Sequence, residues 1–239
     1  MIIKIIKKKT LTVYYVDKDV TDAKMKNRAN TRVKPSQIKL IINNNADVYD
    51  KDNNLLIRFR KNRLSKKNIN LFYKNVIKHA SKSTSNRGST SGSKKKNVAD
   101  NPQIMTNIFG YFDKFSPQQK ALQNKRNMKL KLNARECKFN MDNPEEYKKT
   151  IPLIKEIDAQ YKKLVPKKYA AQRKKANQTH FKIPGTSFTT ITTNINFQTT
   201  IHTDKGDDPD GFGNLAVIER GEYTGGETCL PHYGVGVDI

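Results

Sequence analysis

The last quarter of the chain carries the pattern that most restricts its fold. After His180, short runs of β-branched residues alternate with turns built from Gly, Asp and Pro. Val, Ile and Thr favour extended backbone, and these turn residues end a strand after a few positions. The four runs are SFTTITTN, NFQTTIH, NLAVIE and GVGVDI. Successive short strands of this kind predict a β-sandwich or jelly roll rather than a parallel sheet with crossover helices.

The first 80 residues predict short strands followed by one helix. Strands are expected at 2–6, 11–16 and 38–42, and the segment DVYDKDNNLLIRFRK is expected to form a hairpin because its turn is rich in Asp and Asn. Behind Ser65, a candidate N-cap, apolar residues recur at steps of three and four. They are Ile69, Phe72, Tyr73, Val76, Ile77 and Ala80.

The middle of the chain predicts a loop and then broken helices. The Ser/Gly/Lys stretch that begins at Ser81 has the composition of a flexible linker. Helix starts are predicted where Pro follows a capping residue, at Ser116 and Asn143. Pro152 is expected to interrupt the second helix and Pro166 to end it.

The charge balance predicts a polyanionic partner. The chain has 46 Lys and Arg against 22 Asp and Glu, a formal net charge of +24. An excess of this size attracts nucleic acid through counterion release. An AT-rich genome, whose codons favour Lys, Asn and Ile, is an alternative origin of the same excess.

Cysteine and apolar content bear on the compartment. The two cysteines, Cys137 and Cys229, are too few for a disulfide scaffold. Apolar runs fall short of the roughly 18 residues of a membrane helix. We therefore expect an intracellular, soluble protein that does not enter a membrane.

His202 and Asp204 form an HxD motif at the end of a predicted strand. Side chains two positions apart on extended backbone point to the same side, so an imidazole and a carboxylate can take adjacent positions on one metal. This arrangement is typical of the 2-His-1-carboxylate triad of non-haem Fe(II) oxygenases. Alone the motif is weak evidence, because any His two residues before an Asp matches it.

Six blocks between residues 183 and 239 give the motif a context. They are PGTSFTT, N-x-NF-x-T, HTDKGD, GFGNLAVIE, G-x-Y-x-GG and P-x-YGVGVD. In this order they resemble the TET/JBP-like 2-oxoglutarate dioxygenases, in particular the fungal and viral branch, and the resemblance continues weakly upstream through SNRG and NIFGYFDK. It implies Fe(II), 2-oxoglutarate as cosubstrate, and oxidation of a methyl group on a nucleic-acid base, either 5-methylcytosine or thymine.

The resemblance also implies roles for individual residues. His202 and Asp204 match the first two iron ligands, and Lys205 and Asp207 occupy the loop that faces the substrate base.

Two upstream residues match positions that surround the cosubstrate. Asn194 sits where the family lines the 2-oxoglutarate pocket. Arg87 in SNRG resembles the active-site arginine that reaches the cosubstrate or the base. A solvated cation in a basic loop is the alternative interpretation of Arg87.

The family's second His ligand and the Arg that pairs with 2-oxoglutarate follow the strand that here reaches Ile239. We therefore expect residues 1–239 to hold an incomplete site. His232 lies inside the P-x-YG block and is expected to be a surface residue rather than a replacement ligand. His79 and His180 are expected to be structural.

Together these patterns predict an α+β chain: an incomplete double-stranded β-helix, or jelly roll, preceded by a mixed α/β basic N-terminal region. The predicted segments are 1–80 with strands and a helix, 81–100 a loop, 101–179 basic helices, and 180–239 the β core. The partner is expected to be DNA, in the nucleus or a viral replication compartment. Two alternatives stay open: an inactive nucleic-acid-binding remnant, and a dioxygenase that acts on a protein side chain.

Overall fold

The computed structural model describes residues 1–93, 100–112, 134–204 and 207–239. In these ranges it contains ten strands and five α-helices. The strands are β1 (Ile2–Lys8), β2 (Leu11–Val16), β3 (Leu40–Ile42), β4 (Ala46–Asp50), β5 (Leu55–Phe59), β6 (Met105–Phe112), β7 (Arg135–Glu136), β8 (Thr190–Ile195), β9 (Thr228–Leu230) and β10 (Val235–Val237). The helices are α1 (Asp22–Arg28), α2 (Lys66–Ala80), α3 (Lys138–Asp142), α4 (Pro144–Leu164) and α5 (Pro166–Ala176).

The N-terminal strands form a four-stranded sheet in the order β1-β2-β4-β5. The β2–β4 pair is parallel and the two outer pairs are antiparallel. The predicted hairpin is confirmed, and its turn closes on Asp50, whose carboxylate accepts from the backbone N–H groups of Asp52 and Asn54 at 2.9 and 2.8 Å. Asn53 adopts a positive φ of 63°, a conformation that Asn tolerates better than most residues.

The predicted helix behind Ser65 is also confirmed. The Ser65 hydroxyl accepts from the backbone N–H of Asn68 at 3.3 Å and caps the first turn of α2. The apolar face of α2 packs against β6 and α4 in one core, with each fully buried large side chain stabilising the fold by about 1.5–3 kcal/mol. The buried members of this core are Phe72, Val76, Phe109, Phe139, Tyr147, Leu153, Ile154 and Ile183.

The expectation that Pro152 interrupts its helix is wrong, because α4 runs through it as one 21-residue helix. A proline inside a helix costs about 3 kcal/mol through a lost hydrogen bond and a steric clash. The next two residues, Leu153 and Ile154, are each 1% exposed in the core, and their burial offsets that cost. The helix ends at Leu164, near Pro166 as predicted. Pro166 itself opens α5 at its first position.

The C-terminal strands pair with strands from earlier parts of the chain as well as with each other. β8 pairs antiparallel with β6, whereas β10 pairs parallel with β3 and antiparallel with β9. These strands therefore join two separate sheets whose other members come from earlier in the chain. The architecture is mixed α+β with several sheets, and the jelly roll and the four-segment division stay predictions.

Two of the four predicted C-terminal runs are not strands. In NFQTTIH, the backbone of Thr200 and Ile201 bonds to loop residues Thr90 and Thr31 rather than to a neighbouring strand. In NLAVIE, only Ile218 packs against the α2 core, while Leu215 is 73% exposed. Residues with β-branched side chains form a β-ladder only when a partner strand lies beside them. Tertiary contacts decide whether that partner strand is present.

Within the ranges that the structure describes, no helix combines the length and the apolar character needed to cross a bilayer. The predicted helix start at Ser116 lies outside these ranges.

Candidate active site

The HxD motif brings an imidazole and a carboxylate together. The Nε2 atom of His202 lies 3.3 Å from Oδ1 of Asp204. The His202 side chain is 27% exposed and that of Asp204 is 71% exposed, so the pair opens to solvent on the carboxylate side. The two side chains thus converge, as the i, i+2 spacing on extended backbone predicts.

A hydrogen bond fixes which imidazole nitrogen faces the carboxylate. Nδ1 of His202 lies 2.6 Å from the carbonyl oxygen of Thr200. Because a carbonyl can only accept, Nδ1–H donates, and in the neutral ring Nε2 keeps its lone pair. A backbone carbonyl on the far nitrogen is the usual means of orienting a metal-ligating histidine.

The geometry fits two adjacent corners of a metal coordination sphere. A lone pair on Nε2 and a carboxylate oxygen at 3.3 Å repel each other unless a proton or a cation lies between them. Two ligand atoms at about 2.1 Å from one metal, bonded at right angles, stand about 3 Å apart. Among the residues with described positions, no cluster of three or more His, Cys, Asp or Glu is suited to a metal.

Thr200 holds the motif against the SNRG loop. Its side chain and backbone are buried, with 2% of the residue exposed. The Thr200 N–H donates to the carbonyl of Thr90, and its hydroxyl donates to the carbonyl of Ser89, both at 2.9 Å. No sequence pattern pointed to this role of Thr200, which stands two residues before the histidine.

The loop from Ser81 to Ser93 is ordered, which differs from the linker interpretation. Thr84 forms a bridge with Ile104, and a 3-10 turn spans Gly88–Ser91. The Thr90 hydroxyl donates to the Arg87 carbonyl at 2.8 Å. Backbone and hydroxyl hydrogen bonds hold this segment, and its Ser/Gly composition by itself does not reveal them.

Arg87 lies within electrostatic range of Asp204. Partial burial lowers the pKa of its guanidinium, and the nearby Asp204 carboxylate acts in the opposite direction. The Arg87 side chain is therefore half-buried, and its charge interacts with the Asp204 carboxylate. Its role toward cosubstrate or base stays a prediction.

Of the other residues singled out from the sequence, Asp207 alone is linked electrostatically to the HxD pair among the residues that the structure describes. Partial desolvation, together with the charge of Asp204, raises the pKa of Asp207. Asn194 lies in β8 opposite Thr106, with its side chain exposed. Lys205 lies outside the described residues. The roles of all three stay predictions.

The remaining histidines have structural neighbours. Nε2 of His232 lies 2.8 Å from Oδ1 of Asp22, so its ion pair is with α1 rather than with the HxD pair. His79 stacks on Phe139 at 4.6 Å, and its Nε2 lies 3.1 Å from the carbonyl of Ile108. His180 lies in a bend before β8, where its carbonyl accepts from Lys182.

A buried carboxylate that the sequence did not point out fixes the start of the PGTSFTT block. Asp158 in α4 is 5% exposed. It accepts from the N–H of Ser187 at 2.7 Å, from the Ser187 hydroxyl at 2.5 Å and from the Tyr169 hydroxyl at 2.9 Å. The serine in PGTSFTT is the one available signal, because a serine near a strand start commonly bonds a buried acceptor.

Comparison with known proteins places this site in a family. The sequence model of the Tet_JBP family, the oxygenase domain of the 2OGFeDO superfamily, matches residues 120–239, half of the chain and the segment that contains the HxD pair. The chain belongs to the Tet_JBP family. Arg87 lies outside the segment matched by the family model.

Curated relatives share the same region. The chain is 34% identical over 128 residues to the thymine dioxygenase JBP1 of Trypanosoma brucei brucei, covering 54% of this chain and 14% of that protein. It is 38% identical over 121 residues to the bifunctional helicase and thymine dioxygenase JBP2 of Leishmania braziliensis, covering 50% of this chain and 10% of that protein. The chain thus spans about a seventh or less of the length of these relatives. No solved structure gives a significant match.

Proposed function

We propose that this Tet_JBP family chain is an Fe(II)/2-oxoglutarate-dependent dioxygenase that oxidises a methyl group on a nucleic-acid base. The observation that carries the proposal is the 3.3 Å approach of His202 Nε2 to Asp204 Oδ1, within the segment that the family model matches. One nitrogen and one carboxylate oxygen are donors of the kind that non-haem Fe(II) sites use.

Three residues of the HxD segment would take part in binding the iron. His202 and Asp204 would hold two corners of an Fe(II) site, with the Thr200 carbonyl orienting the imidazole through Nδ1. Bound Fe(II), with 2-oxoglutarate and dioxygen, supplies the oxidant that removes hydrogen from a methyl group. The third ligand and the arginine partner of 2-oxoglutarate are not assigned to residues of this chain.

Arg87 is proposed to bind an anionic or polar group of the cosubstrate or the base. A half-buried guanidinium presents several N–H donors in a fixed plane, which suits a carboxylate. Asn194 is proposed to line the 2-oxoglutarate pocket. Lys205 and Asp207 are proposed to face the base.

The substrate class is inferred from the relatives and the charge. The relatives are named thymine dioxygenases, and the chain's net charge of +24 suits a polyanionic substrate. We propose DNA, with thymine or 5-methylcytosine as the base. A methyl group inside a duplex reaches a protein site only when its nucleotide leaves the stack.

The test compares matched histidine variants. The chain is incubated with Fe(II), 2-oxoglutarate and DNA that contains 5-methylcytosine, and succinate and oxidised thymine or 5-methylcytosine are measured by mass spectrometry. Because residues 1–239 supply two assigned iron ligands, we expect little or no product from them alone. In a form extended through the family's second His ligand and its 2-oxoglutarate Arg, we expect products from the unmodified protein and from His180→Gln, and none from His202→Gln or Asp204→Asn. Products from His202→Gln at the unmodified rate would refute the assignment.

The high positive charge also favours a second function, nucleic-acid binding without oxidation. Iron binding separates the two, because a binding remnant has no need of a metal. A third possibility is the same chemistry on a protein side chain. Products on DNA in the assay above would exclude it as the main activity.

A further inference from the structure

An open groove beside α1 is lined mainly by cationic and polar side chains. Its volume is about 430 Å³, and α1 and the turn at Pro35–Gln37 form its walls. Four of its lining residues are cations, and Ser36 and Gln37 add hydrogen-bonding groups. The cations are Lys24, Arg28, Lys34 and Lys39.

Most of this positive charge is uncompensated. Lys39 lies 2.6 Å from Asp19, the single carboxylate in the lining. Asp22, at the start of α1, is already paired with Lys18 at 2.6 Å and with His232 at 2.8 Å.

The other three cations lack a strong partner. Lys24, Arg28 and Lys34 have no carboxylate within 4.0 Å in the part of the chain that the structure describes. Three unpaired cations around one concavity favour a ligand with repeated negative charge. Arg28 is half-buried, so its guanidinium is held in place more firmly than a free surface side chain.

The groove is joined directly to the HxD segment. The Asn30 N–H donates to the Ile201 carbonyl at 2.9 Å, and the Ile201 N–H donates to the Thr31 carbonyl at 2.8 Å. Ile201 immediately precedes His202. Arg28 is two residues before Asn30, a span of at most about 7 Å along the backbone. The groove is therefore close enough to the site for one DNA duplex to contact both within a few nucleotides.

We propose that this groove, lined by Lys24, Arg28 and Lys34, binds the phosphodiester backbone of duplex DNA next to the base that enters the site at His202 and Asp204. The repeating phosphates suit cations on both walls of the groove, with Lys24 and Arg28 on α1 and Lys34 beside the Pro35–Gln37 turn. The polar side chains of Ser36 and Gln37 would donate to phosphate oxygens. The choice of DNA rests on the proposed function.

The test measures how binding to a short fluorescent DNA duplex depends on salt, by fluorescence anisotropy. The variant combines Lys24→Gln, Arg28→Gln and Lys34→Gln. The matched control combines Lys7→Gln, Lys8→Gln and Lys9→Gln. These three lysines are exposed at the β1–β2 turn, whereas Asp17 bonds to Met1 at the other end of β1. Both variants lose the same net charge.

We expect the groove variant to bind DNA about 10- to 100-fold more weakly near physiological salt. The slope of log affinity against log salt should become shallower by about 3, because each neutralised phosphate contributes about 0.9 to it. The control should stay within about threefold of the unmodified chain. Equal weakening by both variants would overturn the proposal, because it would mean that net charge alone governs binding.

Two further measurements keep the outcome interpretable. Arg28→Lys keeps the charge and should retain most of the salt slope, whereas Arg28→Gln alone should lose about 1 unit of it. Circular dichroism and urea unfolding show whether the groove variant is folded. If it is unfolded, the Arg28→Lys and Arg28→Gln pair decides, and equal slopes for these two would overturn the proposal.

Failure of the groove and failure of the proposed function give different results. If the groove variant binds DNA like the control while His202→Gln abolishes product formation, the groove assignment is wrong and the function stands. If no product forms even in the form extended through the second His ligand and the 2-oxoglutarate Arg, while the groove variant alone loses DNA affinity, the groove stands and the function is wrong. Stronger loss of affinity for an acidic peptide or for anionic vesicles than for DNA would also overturn the proposal.

Discussion

Replacing Asp158 with Ala should destabilise the fold strongly, because this buried carboxylate accepts three hydrogen bonds. Two come from Ser187 at 2.7 and 2.5 Å, and one comes from the Tyr169 hydroxyl at 2.9 Å. Hydrogen bonds to a charged group contribute about 1.5–3 kcal/mol each, and removing their acceptor leaves buried donors without a partner. These contributions overlap, since the three donors share two oxygens. We expect a loss of about 3–5 kcal/mol in the free energy of unfolding.

Asp158→Asn separates the shape of the side chain from its acceptors. The Asn carbonyl can still accept from both Ser187 donors, and the Tyr169 hydroxyl can turn to accept from the new amide. The loss should therefore be smaller, about 1–2 kcal/mol. Glu145→Gln is the control, because its pairing with Lys148 is fully exposed and contributes little.

Urea denaturation followed by circular dichroism measures all three variants. The expected order of stability is Glu145→Gln, then Asp158→Asn, then Asp158→Ala. A loss below about 1 kcal/mol for Asp158→Ala would refute the reasoning, because it would mean that Ser187 and Tyr169 find other acceptors without strain.

Three further changes test other parts of the fold. Burial lowers the pKa of His79, so the unfolded chain takes up a proton before the folded chain does as pH falls below about 6.5. The free energy of unfolding, measured in urea, should therefore fall from about pH 7.5 to about pH 5.5. His79→Gln should remove the part of this fall that His79 causes. Pro152→Ala restores a backbone N–H inside α4 and should raise the unfolding free energy by up to about 3 kcal/mol; an unchanged urea midpoint would argue against a strained helix. Asn53→Ala should destabilise the hairpin by about 1 kcal/mol because φ is positive there, whereas Asn53→Gly should be nearly neutral, and equal thermal unfolding of the two would contradict this.

Local signals allowed most elements of the N-terminal half to be predicted. The Ser65 cap, the apolar steps that follow it and the Asp/Asn turn at 52–54 each act within a few residues, so their physical effect is present in the sequence itself. Pro152 shows the limit of such signals. Its local effect is unfavourable, and burial of Leu153 and Ile154 against distant residues overrides it.

Sheet partners could not be predicted in the same way. The parallel pairing of β3 with β10 joins strands from opposite ends of the chain, and no periodicity in either strand specifies the other. NFQTTIH has the composition of a strand, but its backbone bonds to two loops instead.

In the candidate site, too, local features could be predicted from the sequence and long-range contacts could not. The sequence predicted that His202 and Asp204 converge, and they do, although the run before them forms no strand in the structure. The approach of the SNRG loop depends on a bond between Thr200 and Ser89, which are 111 residues apart. Only the family resemblance pointed to Arg87, because a basic loop by itself is typical of a solvated linker.

The central claim is that His202 and Asp204 bind one metal ion together. Vanadyl, an oxygen- and nitrogen-binding surrogate for Fe(II), allows this to be measured by pulsed electron paramagnetic resonance, which detects the nitrogen of a coordinated imidazole. We predict an imidazole nitrogen coupling in the unmodified chain and in His180→Gln, its loss in His202→Gln, and weaker metal binding in Asp204→Asn. An identical nitrogen coupling in His202→Gln would contradict the account, because the metal would then be held by another histidine.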